Sequence, residues 1–152
     1  MNILPPEIIF KILAPLDCIH IHQLRLINRY LASVYHSWDF WAYKAKYDLD
    51  VPGWLFNDTS LLNPYSRYNQ LKTNLQEYVW YHYHHHIDEY VCLSEAAETG
   101  NLDAVKYFLH YGFKNKDLWD YPVGCAQLKN QTQIVDYFVA LGFPKELVDV
   151  ST

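Results

Sequence analysis

The stretch AAETGNLDAVKYFLHYGF, residues 96–113, returns thirty residues later as AQLKNQTQIVDYFVALGF, residues 126–143. In each copy the apolar residues recur at the spacing of one helical face, and each copy closes on Gly-Phe. Each copy is therefore predicted to form a short alanine-rich helix, a tight turn, a longer helix and a glycine C-cap. The positions that superpose include Val105 and Val135, Tyr107 and Tyr137, Phe108 and Phe138, and Gly112 and Gly142.

Residues 1–34 predict two amphipathic helices. Pro5 and Pro6 suit the entrance of the first helix and Pro15 ends it, because proline has no backbone N–H to donate. A second helix is expected from about residue 19 to residue 34, with Asp17 as its N-cap. The apolar stripe of the first helix comprises Ile8, Ile9, Ile12, Leu13 and Leu16, and that of the second comprises Ile21, Leu24, Ile27, Leu31 and Val34.

Residues 37–90 predict two further helices. Ser37 or Asp39 is a suitable cap for the next helix, which carries four aromatic residues, Phe40, Trp41, Tyr43 and Tyr47. A loop is expected over 48–53. Helical spacing then predicts a helix over 65–82, on the pattern of Tyr68, Leu71, Leu75, Tyr78 and Val79. The histidine tract either extends that helix or forms a loop, and it consists of His82, His84, His85 and His86.

The composition suits a compact all-α protein. Hydrophobic residues make up 51% of the chain and aromatic residues 17%, which is enough for a core and for half-buried seams between helices.

The net charge of −5 argues against a general nucleic-acid binder, because phosphate contacts need clustered Lys and Arg. Charges or prolines interrupt every apolar stretch, so no membrane span is expected. The start of the chain has no signal-peptide pattern. Three cysteines without paired spacing favour reduced thiols in a cytosolic or nuclear protein.

Residues 1–41 resemble the F-box motif. The likeness rests on Leu4-Pro5-Pro6-Glu7, on the aliphatic pairs of residues 8–13, and on the closing pair Phe40-Trp41. The resemblance implies docking on the adaptor subunit of an SCF-type cullin–RING ubiquitin ligase, with this chain as the substrate receptor. The residues that the resemblance implies in this contact, or in its support, are Leu4, Pro5, Ile8, Ile9, Ile12, Leu13, Leu16, Leu24, Ile27 and Trp41.

Residues 93–112 resemble an ankyrin repeat, whose core reads TPLHxAAxxGHLEVVK, and the copy at 126–143 is a more degenerate version. The period of thirty residues is shorter than the roughly 33 of that family, which indicates trimmed loops. The helix over 65–82 is expected to cap the N-terminal side, and residues 144–152 to form an end cap or tail. The resemblance implies target binding through the concave face and the loop tips, including the inter-repeat loop. There the residues Trp119, Asp120 and Tyr121 are either binding anchors or fill space between repeats.

The predicted organisation is an F-box-like domain at 1–47, a connecting helical segment at 48–90, and two ankyrin-like repeats with a C-terminal cap at 91–152. This combination resembles proteins encoded by large DNA viruses of amoebae, and it implies that host ubiquitination is redirected in the cytoplasm or nucleus of the host cell. The expected function is that of a protein–protein adaptor. The alternative is a stand-alone or homodimeric ankyrin-type binding protein, in which the N-terminal helices are only structural core.

Catalytic motifs are missing from the sequence. It contains no GxGxxG, no GK[ST] and no GxSxG pattern, and Cys125 is expected to be a buried core thiol rather than a nucleophile. We therefore expect neither an enzyme nor a cofactor. His82 and His86 are four residues apart, a spacing that can ligate zinc on a helix together with Asp88 or Cys92. Because no CxxC or HExxH frame accompanies them, a metal site is the minor alternative.

Overall fold

The computed structural model describes residues 4–85 and 88–149. Within these ranges every regular element is helical, with eleven α-helices, one 3₁₀ helix and no strand. This confirms the predicted all-α fold class. By its internal contacts the chain divides into two compact units, Met1–Thr73 and Asn74–Thr152. The finer division into an F-box-like domain, a connecting segment and ankyrin-like repeats stays a prediction.

The first unit begins with three short helices: α1 at Pro6–Leu13, α2 at Cys18–Leu24 and α3 at Arg29–Tyr35. The single helix predicted over 19–34 is therefore wrong. Asn28 interrupts it with an extended backbone (φ −157°, ψ 167°), and its side-chain oxygen accepts a hydrogen bond from the Leu31 N–H at 2.8 Å. Asparagine stabilises a helix start more than a helix interior, so a new helix begins after Asn28.

Helix α4, Trp38–Leu49, and helix α5, Gly53–Asn57, complete the central part of the first unit. Ser37, and not Asp39, caps α4, because its hydroxyl accepts a hydrogen bond from the Phe40 N–H at 3.3 Å. The helix ends on Asp50, which adopts a left-handed conformation (φ 54°). The loop predicted over 48–53 is therefore confined to residues 50–52.

Aromatic rings fill the centre of the first unit. The Trp41 ring is fully buried, with its centroid 5.7 Å from that of Tyr35, 5.0 Å from Tyr65 and 5.1 Å from Tyr68. Its indole N–H donates a hydrogen bond to the Tyr35 carbonyl oxygen at 2.6 Å. Such ring pairs contribute roughly 0.5–1.5 kcal/mol each beyond the area that they bury. Trp41 therefore fixes the positions of α3, α4 and α6 around itself.

Helix α6, Pro64–His85, confirms the helix predicted over 65–82 and is longer at both ends. Asn63 starts it, since its side-chain oxygen accepts a hydrogen bond from the Tyr65 N–H at 2.9 Å. The residues of α6 up to Thr73 belong to the first unit, and those from Asn74 onward belong to the second.

The second unit contains two helix pairs at the offset of thirty residues. In each pair the two helices pack on each other, and the first helices of the two pairs also pack together. The two helix pairs predicted from the sequence are therefore present in the structure. The second helix of each pair is not the longer one, because α8 has 10 residues against 11 in α7, and α9 and α10 have 9 each. The first pair is α7, Glu89–Thr99, and α8, Leu102–Tyr111; a 3₁₀ helix, Lys116–Leu118, leads to the second pair, α9, Asp120–Leu128, and α10, Thr132–Ala140, and then to α11, Lys145–Asp149.

The turns within the two pairs have the same geometry. Gly100 (φ 78°) and Asn130 (φ 57°) are equivalent, and both adopt the left-handed conformation that ends a helix. The next residue donates its N–H to the carbonyl oxygen of Ala96 at 2.9 Å in the first copy, and to that of Ala126 at 2.8 Å in the second. Asparagine can take the place of glycine here because its short polar side chain tolerates this conformation better than most.

The glycines that close the two copies differ. Gly142 has a positive φ of 110°, as expected of a glycine beyond a helix end. Gly112 lies at the C-cap of α8 but is extended (φ −165°), and Phe113 takes the left-handed conformation instead (φ 55°). The predicted glycine C-cap is thus correct in position for both copies, but in the first copy it does not supply the left-handed residue.

Candidate functional site

One side of α1 carries large aliphatic side chains that face solvent. Ile8 and Ile12 are four residues apart in α1, which places them on one helical face. Leu4 precedes the helix, and all three side chains are 44–54% exposed. The other side of α1 is buried: Leu13 lies in the core, and the Phe10 ring contacts Phe40 with 5.5 Å between centroids. We call Leu4, Ile8 and Ile12 the α1 row.

Three further aliphatic side chains of the first unit are even more exposed. Ile19 lies in α2, and Leu26 and Ile27 lie between α2 and α3, with exposed fractions of 65–78%. The Tyr30 hydroxyl donates a hydrogen bond to the Leu4 carbonyl oxygen at 3.3 Å, which joins the start of α3 to the start of α1. Single exposed aliphatic residues are ordinary, but six within residues 4–27 indicate an interaction surface. The α1 row together with Ile19, Leu26 and Ile27 is called the α1–α3 surface below.

A buried lysine holds α1 in place beneath this surface. Lys44 of α4 is only 2% exposed, and its Nζ donates hydrogen bonds to the carbonyl oxygens of Ala14 and Leu16, both at 2.8 Å. These oxygens belong to the C-terminal end of α1 and the turn after it, where a helix has carbonyls without intrahelical partners. The positive charge of Lys44 at this end also interacts favourably with the negative end of the helix dipole. The α1 row is therefore presented by a helix with a fixed end.

The Lys44 ammonium also pairs with the Asp48 carboxylate, one helical turn further along α4, at 2.9 Å. The Tyr68 hydroxyl donates a hydrogen bond to the same carboxylate. Burial of Tyr68, and then its hydrogen bond to Asp48, raise the pKa of the phenol well above its usual value. Lys44, Asp48 and Tyr68 thus provide one another with hydrogen-bond and charge partners. We assign this network a structural role, because none of its groups is a reactive side chain open to solvent.

A second buried cation, Arg67, binds the carbonyl oxygens at the C-terminal end of α5. Arg67 is 2% exposed, and its guanidinium donates hydrogen bonds to the carbonyl oxygens of Phe56 at 3.0 Å, Leu55 at 2.6 Å and Asp58 at 3.1 Å. The first unit therefore fixes the C-terminal ends of two short helices with buried cationic side chains.

The ten residues predicted to bind or support a ligase adaptor fall into three groups. The exposed residues are Leu4, Pro5, Ile8, Ile12 and Ile27. The partly buried residues are Ile9, Leu16 and Leu24, and the buried ones are Leu13 and Trp41. The exposed members can contact a partner directly, whereas the buried ones can only support the helices. Sequence reasoning missed Ile19 and Leu26. The break at Asn28 was the available signal, because it places the adjacent Leu26 and Ile27 outside any helix.

The predicted loop position of the target-binding residues is wrong, because Trp119 is the N-cap of α9 and Asp120 and Tyr121 are its first two residues. The three side chains lie in different environments. Trp119 is 4% exposed, its indole N–H donates to the Phe113 carbonyl oxygen at 2.6 Å, and its ring lies 5.4 Å from that of Phe138. Of the two readings of Trp119, its burial favours space filling. Asp120 is exposed, and Tyr121 is 64% exposed. Their role in target binding stays a prediction, and Tyr121 offers the accessible aromatic area.

The cysteines are free thiols in different surroundings. Cys92 is buried, and this burial raises the pKa of its thiol. Cys125, predicted to be a buried core thiol, is only partly buried, because it lies on the outer side of α9 beside Tyr121. The Cys125 thiol raises the pKa of the Tyr121 phenol. Cys18 is also partly buried.

The described residues contain no group of three or more His, Cys, Asp or Glu side chains that could hold a metal ion. The histidine tract is only partly covered by this statement. The backbone of α6 extends through His85, whereas the tract's side chains at positions 82–85 and the whole of His86 lie outside the described part of the chain. The zinc alternative for the tract therefore stays a prediction.

Comparisons of the sequence with protein families and with curated proteins, and of the chain with solved structures, find no match. In the ranges 4–85 and 88–149, no helix is both long enough and apolar enough to cross a membrane. What the chain does must therefore be inferred from its own surfaces.

Proposed function

We propose that the chain is a protein–protein adaptor of the F-box and ankyrin type, the substrate receptor of an SCF-type cullin–RING ubiquitin ligase. The α1–α3 surface binds the adaptor subunit of the ligase, and the helix pairs of the second unit bind the target. The chain carries out no chemistry and needs no cofactor. Its place of action is the cytoplasm or nucleus, in the host cell if the chain is viral.

The observation that carries this proposal is the exposed α1 row. These three large aliphatic side chains, two on α1 and one just before it, lose contact with water only if a partner covers them, and their burial contributes roughly 1.5–3 kcal/mol per fully buried side chain. The hydrogen bonds from Lys44 to Ala14 and Leu16 support this role, since a helix with a fixed end loses little entropy on binding. The repeated helix pairs support a second binding surface, which a bridging adaptor requires.

Binding to the purified ligase adaptor subunit tests the proposal. We expect a stable complex on size-exclusion chromatography, and we expect the double variant Leu4→Ala, Pro5→Ala to weaken it. Leu62→Ala is the matched control, because Leu62 is 94% exposed in the same unit but lies outside the α1–α3 surface. The absence of detectable association at micromolar concentrations would reject the ligase role.

The second candidate is a homodimer that covers the α1–α3 surface with another copy of the chain. The same exposed side chains support it, because obligate dimers bury surfaces of this apolar kind. Light scattering of the purified chain separates the two candidates. A dimer that Ile8→Asp converts to a monomer would favour the second candidate, whereas a monomer that binds the ligase adaptor subunit would exclude it.

A further inference from the structure

Helices α7 and α9 lie side by side and run in the same direction. Near their starts, the rings of Tyr90 and Tyr121 have centroids 6.4 Å apart. At their ends, Lys129 Nζ, just beyond α9, lies 3.7 Å from the Glu98 carboxylate. Because the two helices occupy equivalent places in the repeat, residues thirty positions apart lie beside each other on the pair.

The outward faces of the two helices have different chemistry at equivalent positions. Val91, Glu95 and Glu98 lie along one exposed face of α7, at the helical spacing of four and three residues. The equivalent residues of α9 are Tyr121, Cys125 and Leu128, of which Leu128 is 84% exposed. One helix therefore contributes two carboxylates, and its neighbour contributes two large apolar side chains. These six residues are called the α7–α9 face.

The second unit has an excess of negative charge. Residues 74–152 contain eleven Asp and Glu against five Lys and Arg, whereas residues 1–73 contain six against seven. The Glu98 carboxylate lies 3.7 Å from the Nζ of the exposed Lys129. Glu95 makes no ion pair with any residue in the described ranges. Exposed carboxylates beside uncovered apolar side chains attract a partner that is both basic and apolar.

We propose that the α7–α9 face binds a basic protein segment, in which Lys or Arg side chains alternate with large apolar ones. The inference rests on the proposed adaptor function, because it names the chemical class of the target. The carboxylates of α7 pair with the cations of the segment, and Tyr121 and Leu128 cover its apolar side chains. A nucleic acid does not fit, since its phosphates would meet the carboxylates. A free metal ion would leave the apolar side chains uncovered.

Selection of peptides on the full chain tests this inference. The immobilised chain is screened with a phage-displayed library of random short peptides, and the strongest binder is synthesised with a fluorescent label and titrated. We expect selected sequences rich in Lys and Arg with at least one large apolar residue. The double variant Glu95→Lys, Glu98→Lys should weaken the peptide at least about tenfold, because like charges then face each other. Added salt should also weaken binding, since the paired charges are exposed.

Two controls make the outcome specific. Asp136→Lys reverses an exposed carboxylate on α10, away from the face, and should leave peptide affinity unchanged. Leu128→Ser removes an apolar contact without changing charge and should weaken binding. Acidic or uncharged selected sequences, affinity that the double variant leaves intact, or failure to select any peptide would each overturn the inference. Circular dichroism verifies that the variants stay folded.

The adaptor-subunit assay distinguishes this inference from the proposed function. The double variant on α7 should still bind the ligase adaptor subunit, and Ile8→Asp in the α1 row should still bind the peptide. If the chain binds the basic peptide but never the adaptor subunit, the ligase role fails and the α7–α9 face stands. If it binds the adaptor subunit and selects no basic peptide, the inference fails and the ligase role stands.

Discussion

The side-chain nitrogen of Lys44 lies 2.8 Å from the carbonyl oxygen of Ala14, thirty residues earlier in the chain. Lys44 is almost fully buried, and it also reaches the Leu16 carbonyl and the Asp48 carboxylate. A buried cation is costly unless it is paired and fully hydrogen-bonded, and these three oxygens meet that condition. Through this contact a residue of α4 holds the C-terminal end of α1 in place.

Replacing the buried cation should strongly destabilise the protein. Lys44→Met leaves two carbonyls without their donor and the Asp48 carboxylate without its cation, and we expect the free energy of unfolding to fall by about 3 kcal/mol. Lys46→Met is the matched control, because its ion pair with Asp50 is more than half exposed on both sides and should contribute less than about 0.5 kcal/mol. Urea unfolding followed by circular dichroism measures both. Equal losses would contradict the assigned role of Lys44.

Stability should decrease at alkaline pH, and Tyr68 should account for part of that decrease. Burial and the hydrogen bond to Asp48 raise the pKa of this phenol above the value near 10 that it has when unfolded. Above pH 10 the unfolded chain therefore binds fewer protons than the folded one, so the free energy of unfolding falls as pH rises. Tyr68→Phe should flatten this slope in urea titrations, whereas Tyr47→Phe, at an exposed position, should not.

A conservative change at Arg67 should not be tolerated. Arg67 uses two separate nitrogens, Nε toward Phe56 and Nη2 toward Leu55 and Asp58. Lysine keeps the charge but has one nitrogen at the end of its side chain, so Arg67→Lys cannot reproduce this planar fork of donors. We expect a loss of about 2–3 kcal/mol, since buried acceptors lose their partners. Arg29→Lys, at an exposed position in α3, should change the free energy of unfolding by less than about 0.5 kcal/mol. A full thermal-unfolding profile for Arg67→Lys identical to the wild type would refute this assignment.

Two glycines of the repeat unit should respond to alanine with opposite signs. Gly100 has a positive φ of 78°, and an added Cβ would collide with the Gln131 side chain, so Gly100→Ala should cost about 1–2 kcal/mol. Gly124 lies inside α9 with nothing near the position of a Cβ. Gly124→Ala should therefore stabilise the protein by about 0.5–1 kcal/mol. Differential scanning calorimetry measures the melting temperature of both variants. Shifts in the same direction for Gly100→Ala and Gly124→Ala would contradict this account.

The break between α2 and α3 illustrates a limit of periodicity. Ile21, Leu24, Ile27 and Leu31 keep helical spacing, and that pattern predicts a continuous helix. Asn28 carries a competing local signal, because its side chain stabilises a helix start more than a helix interior. The helix start at Asn28 took precedence over the apolar periodicity. Ile27 therefore lies in an exposed connection and not in the predicted apolar stripe. The capping tendency of Asn28 was therefore the sequence signal both for the break and for the exposure of Leu26 and Ile27, which precede it.

The sequence by itself determined the longer helices and the thirty-residue repeat, because apolar periodicity, proline and caps act within a few residues of one another. It did not predict the short helix α5 or the division between α2 and α3. The tertiary structure alone decided which apolar residues stay in contact with water. In the α1 stripe Leu13 is buried while Ile8 and Ile12 are exposed, and in the repeats Trp119 is buried while Tyr121 is exposed. Burial depends on partners far along the chain, as Lys44 and Ala14 demonstrate, and no local pattern contains that information.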